Sequence, residues 1–286
     1  MVRSIPSSLA LILLLLLVSQ FKADGFLVVP LHCPIMHATS RLFAAGQVPP
    51  EDLITKLFSR FLPKPEDVGL TRFTVDSLPE KFPCTKTEFA VLLASDTDDN
   101  TKLIRPLLKQ TNLEFRPLKL AYSAQRDGWK ASTFHAQVDK KGPAVVLCRT
   151  ESGGVFGGYN PCGWVNYGES RGCIAAFLFL FPGGDTKAQP VKLAKIGGAS
   201  MAQLDDGSGP RFGAEGLTIP LEARSGVSAR KVLSKLGLYY ENLPRGGRSL
   251  LPEGRAQDEL LTLDIYIGDF GSDPVPYKDA MVFQLN

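Results

Sequence analysis

Apolar positions along the chain fall into distinct textures. Leu9–Val18 (LALILLLLLV) is an unbroken apolar run placed behind Arg3. It is about half the length that a membrane-spanning helix needs, so Met1–Gly25 reads as a signal-like leader. Leu53-Ile54, Leu57-Phe58 and Phe61-Leu62 repeat every four residues, with Glu51 and Asp52 in the first turn and prolines at both ends. That spacing predicts a short amphipathic helix. Its stripe packs onto the main domain or into a partner's groove, and its ordinary core spacing favours the former. Lys64–Pro83 is proline-rich and aperiodic, a linker or wrapping segment. Thr85–Ala94 and Asp98–Gln110 predict two further helices, with Pro106 shortening the second.

From about Leu118 short apolar runs take over: Leu118–Tyr122, Ala144–Cys148, Gly154–Tyr159, Ala175–Phe181, Ala194–Ile196, Leu217–Leu221, Leu260–Ile267 and Ala280–Leu285. Turn-forming clusters separate them, among them Asp139–Pro143, Pro182–Asp185, Asp205–Pro210 and Pro244–Gly247. Runs of this length broken by turn chemistry predict a mainly β fold of the α+β class. The expected form is a two-sheet antiparallel β-sandwich with a few peripheral helices. Ala131–Val138, around Phe134, is one such helix. Ser228–Leu238 is another, with Val232, Leu233 and Leu236 as its stripe and Ser228 as N-cap. The expected organisation is a leader (1–25), a helical N-terminal extension and linker (26–117), and the sandwich domain (118–286).

Composition supports the turn-rich reading, since Gly 27 and Pro 21 together make about 17% of the chain, above ordinary usage. Hydrophobic content of 44% excludes wholesale disorder. Lys+Arg 32 against Asp+Glu 29 leaves a net charge of +3, and no basic tract points to a nucleic-acid binder.

Compartment signals conflict. Cys33, Cys84, Cys148, Cys162 and Cys173 all follow the leader, and an odd number without framework spacing fits thiols better than a disulfide scaffold. The leader also lacks a good cleavage site, because Phe21 stands where a small residue belongs before Ala23. The secretory pathway is what the leader points to. A start at Met36, giving a cytosolic chain, and import into an organelle such as the chloroplast are the alternatives.

Each pattern that resembles a catalytic or ligand site fails on context. Gly168-Glu169-Ser170-Arg171-Gly172 spells G-x-S-x-G, but no apolar strand precedes it and no histidine follows His135. It reads as a glycine-bounded loop. Asp96-x-Asp98-x-Asn100 begins like a calcium loop, yet Thr101 replaces the turn glycine and Leu107 the closing glutamate. It reads as a solvated acidic turn capping a helix. His32, Cys33 and His37 lack a second ligand cluster, and Cys148, Cys162 and Cys173 lack C-x-x-C pairing. Neither a metal nor a dithiol centre is expected. His135 with a cysteine would make a nucleophile pair only by coincidence. Gly153-Gly154-Val-Phe-Gly157-Gly158 lacks the spacing of a dinucleotide cradle, so no cofactor is expected.

The glycine-rich centre resembles the TLDc domain family, in its plant-type form. Arg126-Asp127-Gly128, followed by a helix starting near Ser132 and carrying Phe134-His135, is similar to the family's opening element. Asp139–Cys148 is similar to its following strand, and Gly154-Val-Phe156-Gly157-Gly158-Tyr159 with Trp164 to its G-x-V-F-G-G-Y…W element. Phe177-Leu178-Phe179 resembles its F-L-F strand, Gly209-Pro-Arg-Phe212-Gly213 its G-P-x-F-G turn, and Leu260–Ile267 its closing strand. Arg171–Ala176 intervenes before the F-L-F strand where many members have none, so a role for Glu169 does not transfer from shorter members. The resemblance implies a non-enzymatic module that protects against oxidative stress and binds a protein partner, the vacuolar-type proton ATPase in several members. It brings no established active site. His135, Glu169 and Ser170 are the polar candidates for function, and the other matched residues read as fold determinants. The rival readings are a weak hydrolase or thiol-dependent peroxide-handling enzyme using Ser170 or a cysteine, and a luminal structural or interaction protein.

Overall fold

The computed structural model describes residues 74–221 and 228–271, all within the unit Arg72–Asn286. The leader, the Leu53–Leu62 stripe, His32, Cys33, His37 and the Ala280–Leu285 run lie outside the described residues.

Among the described residues eleven strands form one hydrogen-bonded system: β1 (Leu118–Ser123), β2 (Ala144–Thr150), β3 (Val155–Asn160), β4 (Glu169–Arg171), β5 (Phe177–Phe181), β6 (Val191–Ala194), β7 (Gln203–Asp205), β8 (Arg211–Phe212), β9 (Leu217–Thr218), β10 (Lys231–Leu233) and β11 (Gln257–Gly268). The order is β4-β7-β8-β9-β10-β11-β2-β3-β5-β6, with β1 added alongside β11, and every ladder is antiparallel. Among the described residues three α-helices accompany them: α1 (Asp99–Ile104), α2 (Ala124–Asp127) and α3 (Ala131–Val138). The chain is thus mainly β with few helices.

Strand β11 holds the system together. Its first residues, Gln257–Glu259, pair with β10, and its later ones pair with β2 on one side and β1 on the other. A register shift between Leu260 and Thr262 marks the change of partner.

Side chains alternate along the central strands, and both faces are buried. On β2, Ala144, Val146 and Cys148 enter one core cluster, whereas Val145 and Leu147 enter the other. On β5 the three phenylalanines 177, 179 and 181 face the second cluster and Leu178 the first. A strand covered on both faces reads as a continuous apolar run, which is why F-L-F-L-F carries no polar alternation. The first cluster is completed by Phe134, Trp164, Phe212, Leu217, Val232 and Tyr240. The second is completed by Ile104, Leu107, Leu108 and Leu113, so the segment ahead of Leu118 shares a core with β2, β3 and β5.

Several expected elements take a different form. Thr85–Ala94 is irregular, because its backbone bonds to distant partners instead of to itself: the Ala90 amide donates to the Pro106 carbonyl at 2.9 Å, and Lys192 Nζ donates to the Glu88 carbonyl at 3.0 Å. Ser228–Leu238 is not a helix either. Its centre is β10, held by the ladder of Lys231, Val232 and Leu233 with Glu259, Asp258 and Gln257. Asp98–Gln110 does form α1, and Pro106 turns its continuation, Arg105–Leu108, into a 3₁₀ turn. Asp98 caps α1 by accepting from the Asn100 and Thr101 amides, both at 2.9 Å. Asp96 is the exception in that acidic turn. It is buried against Arg105 and not solvated.

Candidate functional site

The family-motif residues make packing and turn contacts. Gly128 ends α2 at φ +88°, a conformation open to glycine, and its carbonyl accepts from the Tyr122 hydroxyl at 2.7 Å. Asp127 pairs with Arg126 at 2.8 Å and accepts from the Ser123 amide at 2.9 Å; the Arg126 bond above all holds its carboxyl down at about 2. Phe134 stands edge-on to Tyr122 and to Trp164, and Trp164 edge-on to Phe212. Tyr159 stacks obliquely on Phe177, and Phe179 meets Phe181 edge-on. Phe156 is fully buried, Gly154 abuts Pro252, and the Gly213 amide donates to the Ala202 carbonyl at 2.8 Å. Gly157 and Gly158 allow close approach: a Cβ on Gly157 would lie 1.9 Å from the Val146 oxygen, and one on Gly158 2.7 Å from the Phe212 ring. The β2–β3 register runs through both without a bulge.

The polar residues gather where the loop after β3 passes β7. Asp205, fully buried on β7, accepts from the Val165 amide at 2.8 Å and the Asn166 amide at 3.0 Å. Its backbone oxygen takes the Gly168 amide at 2.8 Å. Arg171, on β4, lies 3.7 Å from the Asp205 carboxylate and donates to the Gly163 carbonyl at 2.9 Å and the Cys162 carbonyl at 3.3 Å. Burial pushes the Asp205 carboxyl above its usual range, against the pull of those amides and of Arg171. Asp139 adjoins this loop through a bridge to Trp164, whose carbonyl accepts from the Lys140 amide at 2.8 Å.

The three sequence-derived candidates sit around this anchor with separate partners. His135 is buried on α3, with Nδ1 2.9 Å from Asp139 Oδ1 and with Nε2 enclosed and lacking a hydrogen-bond partner. Ser170 is exposed on β4, and its hydroxyl donates to the Met201 thioether at 3.1 Å. Glu169 pairs with Asp205 in the β4–β7 register, with Oε1 buried and unpaired. No hydrogen bond or ion pair joins His135 to Ser170 or Glu169 among the described residues. Gly168–Gly172 is therefore not a loop as the sequence implied, but contains a short edge strand paired with β7.

Two features escaped the sequence reading. Arg171 and Asp205 give no spacing signal, being 34 positions apart (205 − 171). The Cys173 thiol donates to the Glu80 carbonyl at 3.6 Å, a contact between distant positions that no motif signals. Among the described residues no group of three His, Cys, Asp or Glu side chains clusters in the manner of a metal site. No described helix is long and apolar enough to cross a membrane.

A family model for the TLDc domain matches residues 96–241. The match starts ahead of Leu118 and takes in Asp96 and α1, whose Ile104 lies in the second core with the central strands. A search of curated proteins finds no match.

Proposed function

The chain belongs to the TLDc domain family, and from that premise we propose a non-enzymatic interaction module that protects against oxidative stress by binding and regulating the vacuolar-type proton ATPase. The same reading takes the strand system as a plant-type, two-sheet sandwich with its N-terminal extension. One observation carries it: the charged groups of the candidate site are directed at the chain's own backbone. The Asp205 carboxylate binds two amides and Arg171 binds two carbonyls, so together they fix a loop. A hydrolytic nucleophile needs a base within hydrogen-bond reach, whereas Ser170 faces a thioether and His135 faces Asp139.

The test has two arms. Cells lacking the protein are challenged with hydrogen peroxide, with and without re-expression. The proposal expects lowered survival that re-expression restores, and normal survival would refute the protective role. In the second arm the purified chain is mixed with the peripheral, ATP-hydrolysing sector of the proton ATPase. Co-sedimentation and altered ATP hydrolysis are expected, and their absence would remove that partner.

A further inference from the structure

We propose that the open half of the β1 edge is a docking site for an extended acidic segment of a protein partner, which adds to the sheet as a further strand. This goes beyond the proposed function and does not rest on it, since it needs neither the proton ATPase nor a role under peroxide.

Strand β1 is paired on one side. Its ladder with β11 runs from Leu118 opposite Gly268 to Ser123 opposite Asp264, and no other strand among the described residues lies against it. In an antiparallel ladder, successive residues turn their main-chain groups to opposite sides. The Asp269 amide donates to the Pro117 carbonyl at 2.8 Å. Pro117 and Lys119 therefore face β11, and Leu118 and Leu120 turn their N–H and C=O groups outward. Beyond Leu120 the edge is closed. Gln137 Nε2, on α3, donates to the Ala121 carbonyl at 2.7 Å, and the Asp127 carboxylate accepts from the Ser123 amide at 2.9 Å. Side chains thus cap one half of the edge, while the main-chain groups of Leu118 and Leu120 stay open to a partner strand.

A groove adjoins the open half. It has a volume of about 500 Å³, and its lining includes Lys119 and Ala121 of β1, Ala136 and Gln137 of α3, Lys141 and Ile267. Leu118 and Leu120 are half-buried against the second core, and Ala121 and Ile267 against the first. A strand laid alongside finds apolar surface for the side chains of both its faces.

Charge selects the occupant. Lys119 and Lys141 are exposed, and neither has an ion-pair partner among the described residues. Asp269, the carboxylate of the lining, accepts from the Gly271 amide at 3.0 Å. Two unpaired ammonium groups beside open main chain favour carboxylates on the incoming strand and oppose a basic one. A second copy of this chain would bring the same lysines to the same edge, so pairing of two β1 edges is disfavoured.

Amide hydrogen exchange of the full chain, read residue by residue by NMR, tests the proposal with two blocked heptapeptides, one alternating glutamate with valine and the other lysine with valine. Without peptide, the Leu118 and Leu120 amides are expected to exchange as open ones do. Saturation with the glutamate peptide is expected to slow both about tenfold or more, and the lysine peptide to leave them unchanged. The double variant Lys119→Glu with Lys141→Glu alters only exposed side chains. It is expected to bind the glutamate peptide about tenfold more weakly and to bind the lysine peptide instead. Leu118 and Leu120 amides already protected without peptide would show an edge occupied by the chain itself or by a second copy, and would overturn the proposal. Failure of the glutamate peptide to slow them, or equal protection by both peptides, would overturn it too.

Discussion

Arg105 grips both carboxylate oxygens of Asp96, at 2.8 and 2.9 Å, with neither side chain exposed to solvent. The same guanidinium donates to the carbonyls of Leu113, Glu114 and Arg116 at 2.6, 3.1 and 2.8 Å. An enclosed cation whose donors are directed at five acceptors holds the turn after α1 against the second core.

Removing the anion alone leaves that cation buried and uncompensated. Asp96→Ala is expected to lower stability by about 3–5 kcal/mol, read from urea unfolding of the full chain. Replacing both partners, as in Asp96→Leu with Arg105→Met, is expected to recover only part of the loss, because the three carbonyls stay unpaired. A double variant at wild-type stability would show that those carbonyl bonds contribute nothing.

Gly158 and Phe212 make a second testable pair. A methyl group on Gly158 meets the Phe212 ring at 2.7 Å and Leu178 Cδ2 at 2.9 Å, both of them side chains that can shift. Gly158→Ala is expected to cost about 1–3 kcal/mol by overpacking, and Phe212→Leu in the same chain to relieve part of it. Gly157→Ala meets a backbone carbonyl at 1.9 Å and is expected to cost more, with no side-chain substitution relieving it. Thermal unfolding of the three variants decides the order.

Lys192 predicts a pH dependence. Its ammonium is buried, donating to the Glu88 and Leu107 carbonyls and lying 5.0 Å from the Phe89 ring centre. Burial lowers its pKa to about 8, from 10.5 in an exposed chain, with Cys84, Glu88 and Glu114 pulling the other way. Between these values the unfolded chain binds more protons than the folded one, so stability rises with pH. From pH 8 to 9 the gain is about 1 kcal/mol, and Lys195, lowered in the same direction by burial, adds to it higher up. Above 9.0 the buried thiols Cys84, Cys148 and Cys173, all raised, act in the opposite sense, so the rise is confined to this window. Urea midpoints across pH 7–9 are expected to climb in the native chain and to stay nearly flat in Lys192→Met.

The strongest sequence signals came from segments whose neighbours matter least. Ala131–Val138, β2, β3 and β5 follow from apolar runs bounded by turn residues, and the structure places them within a few residues of those runs. Strands β4, β7, β8 and β10 were invisible, since each has two or three residues and exists because a partner strand lies beside it. Thr85–Ala94 misled for the matching reason: its composition favours a helix, but Pro106 and Lys192 bind its backbone from far along the chain.

The sequence by itself determined the leader-like run, the mainly β character, the family and the glycine and aromatic positions that fill the core, because propensity, periodicity and turn chemistry act over a few residues. Only the tertiary structure decided that Asp96 is buried, that His135 and Ser170 face different partners, and that the Cys173 thiol meets the Glu80 carbonyl. Those relationships depend on which strands pair and which carbonyls Arg105 and Arg171 reach, and such contacts between distant positions leave no local pattern to read.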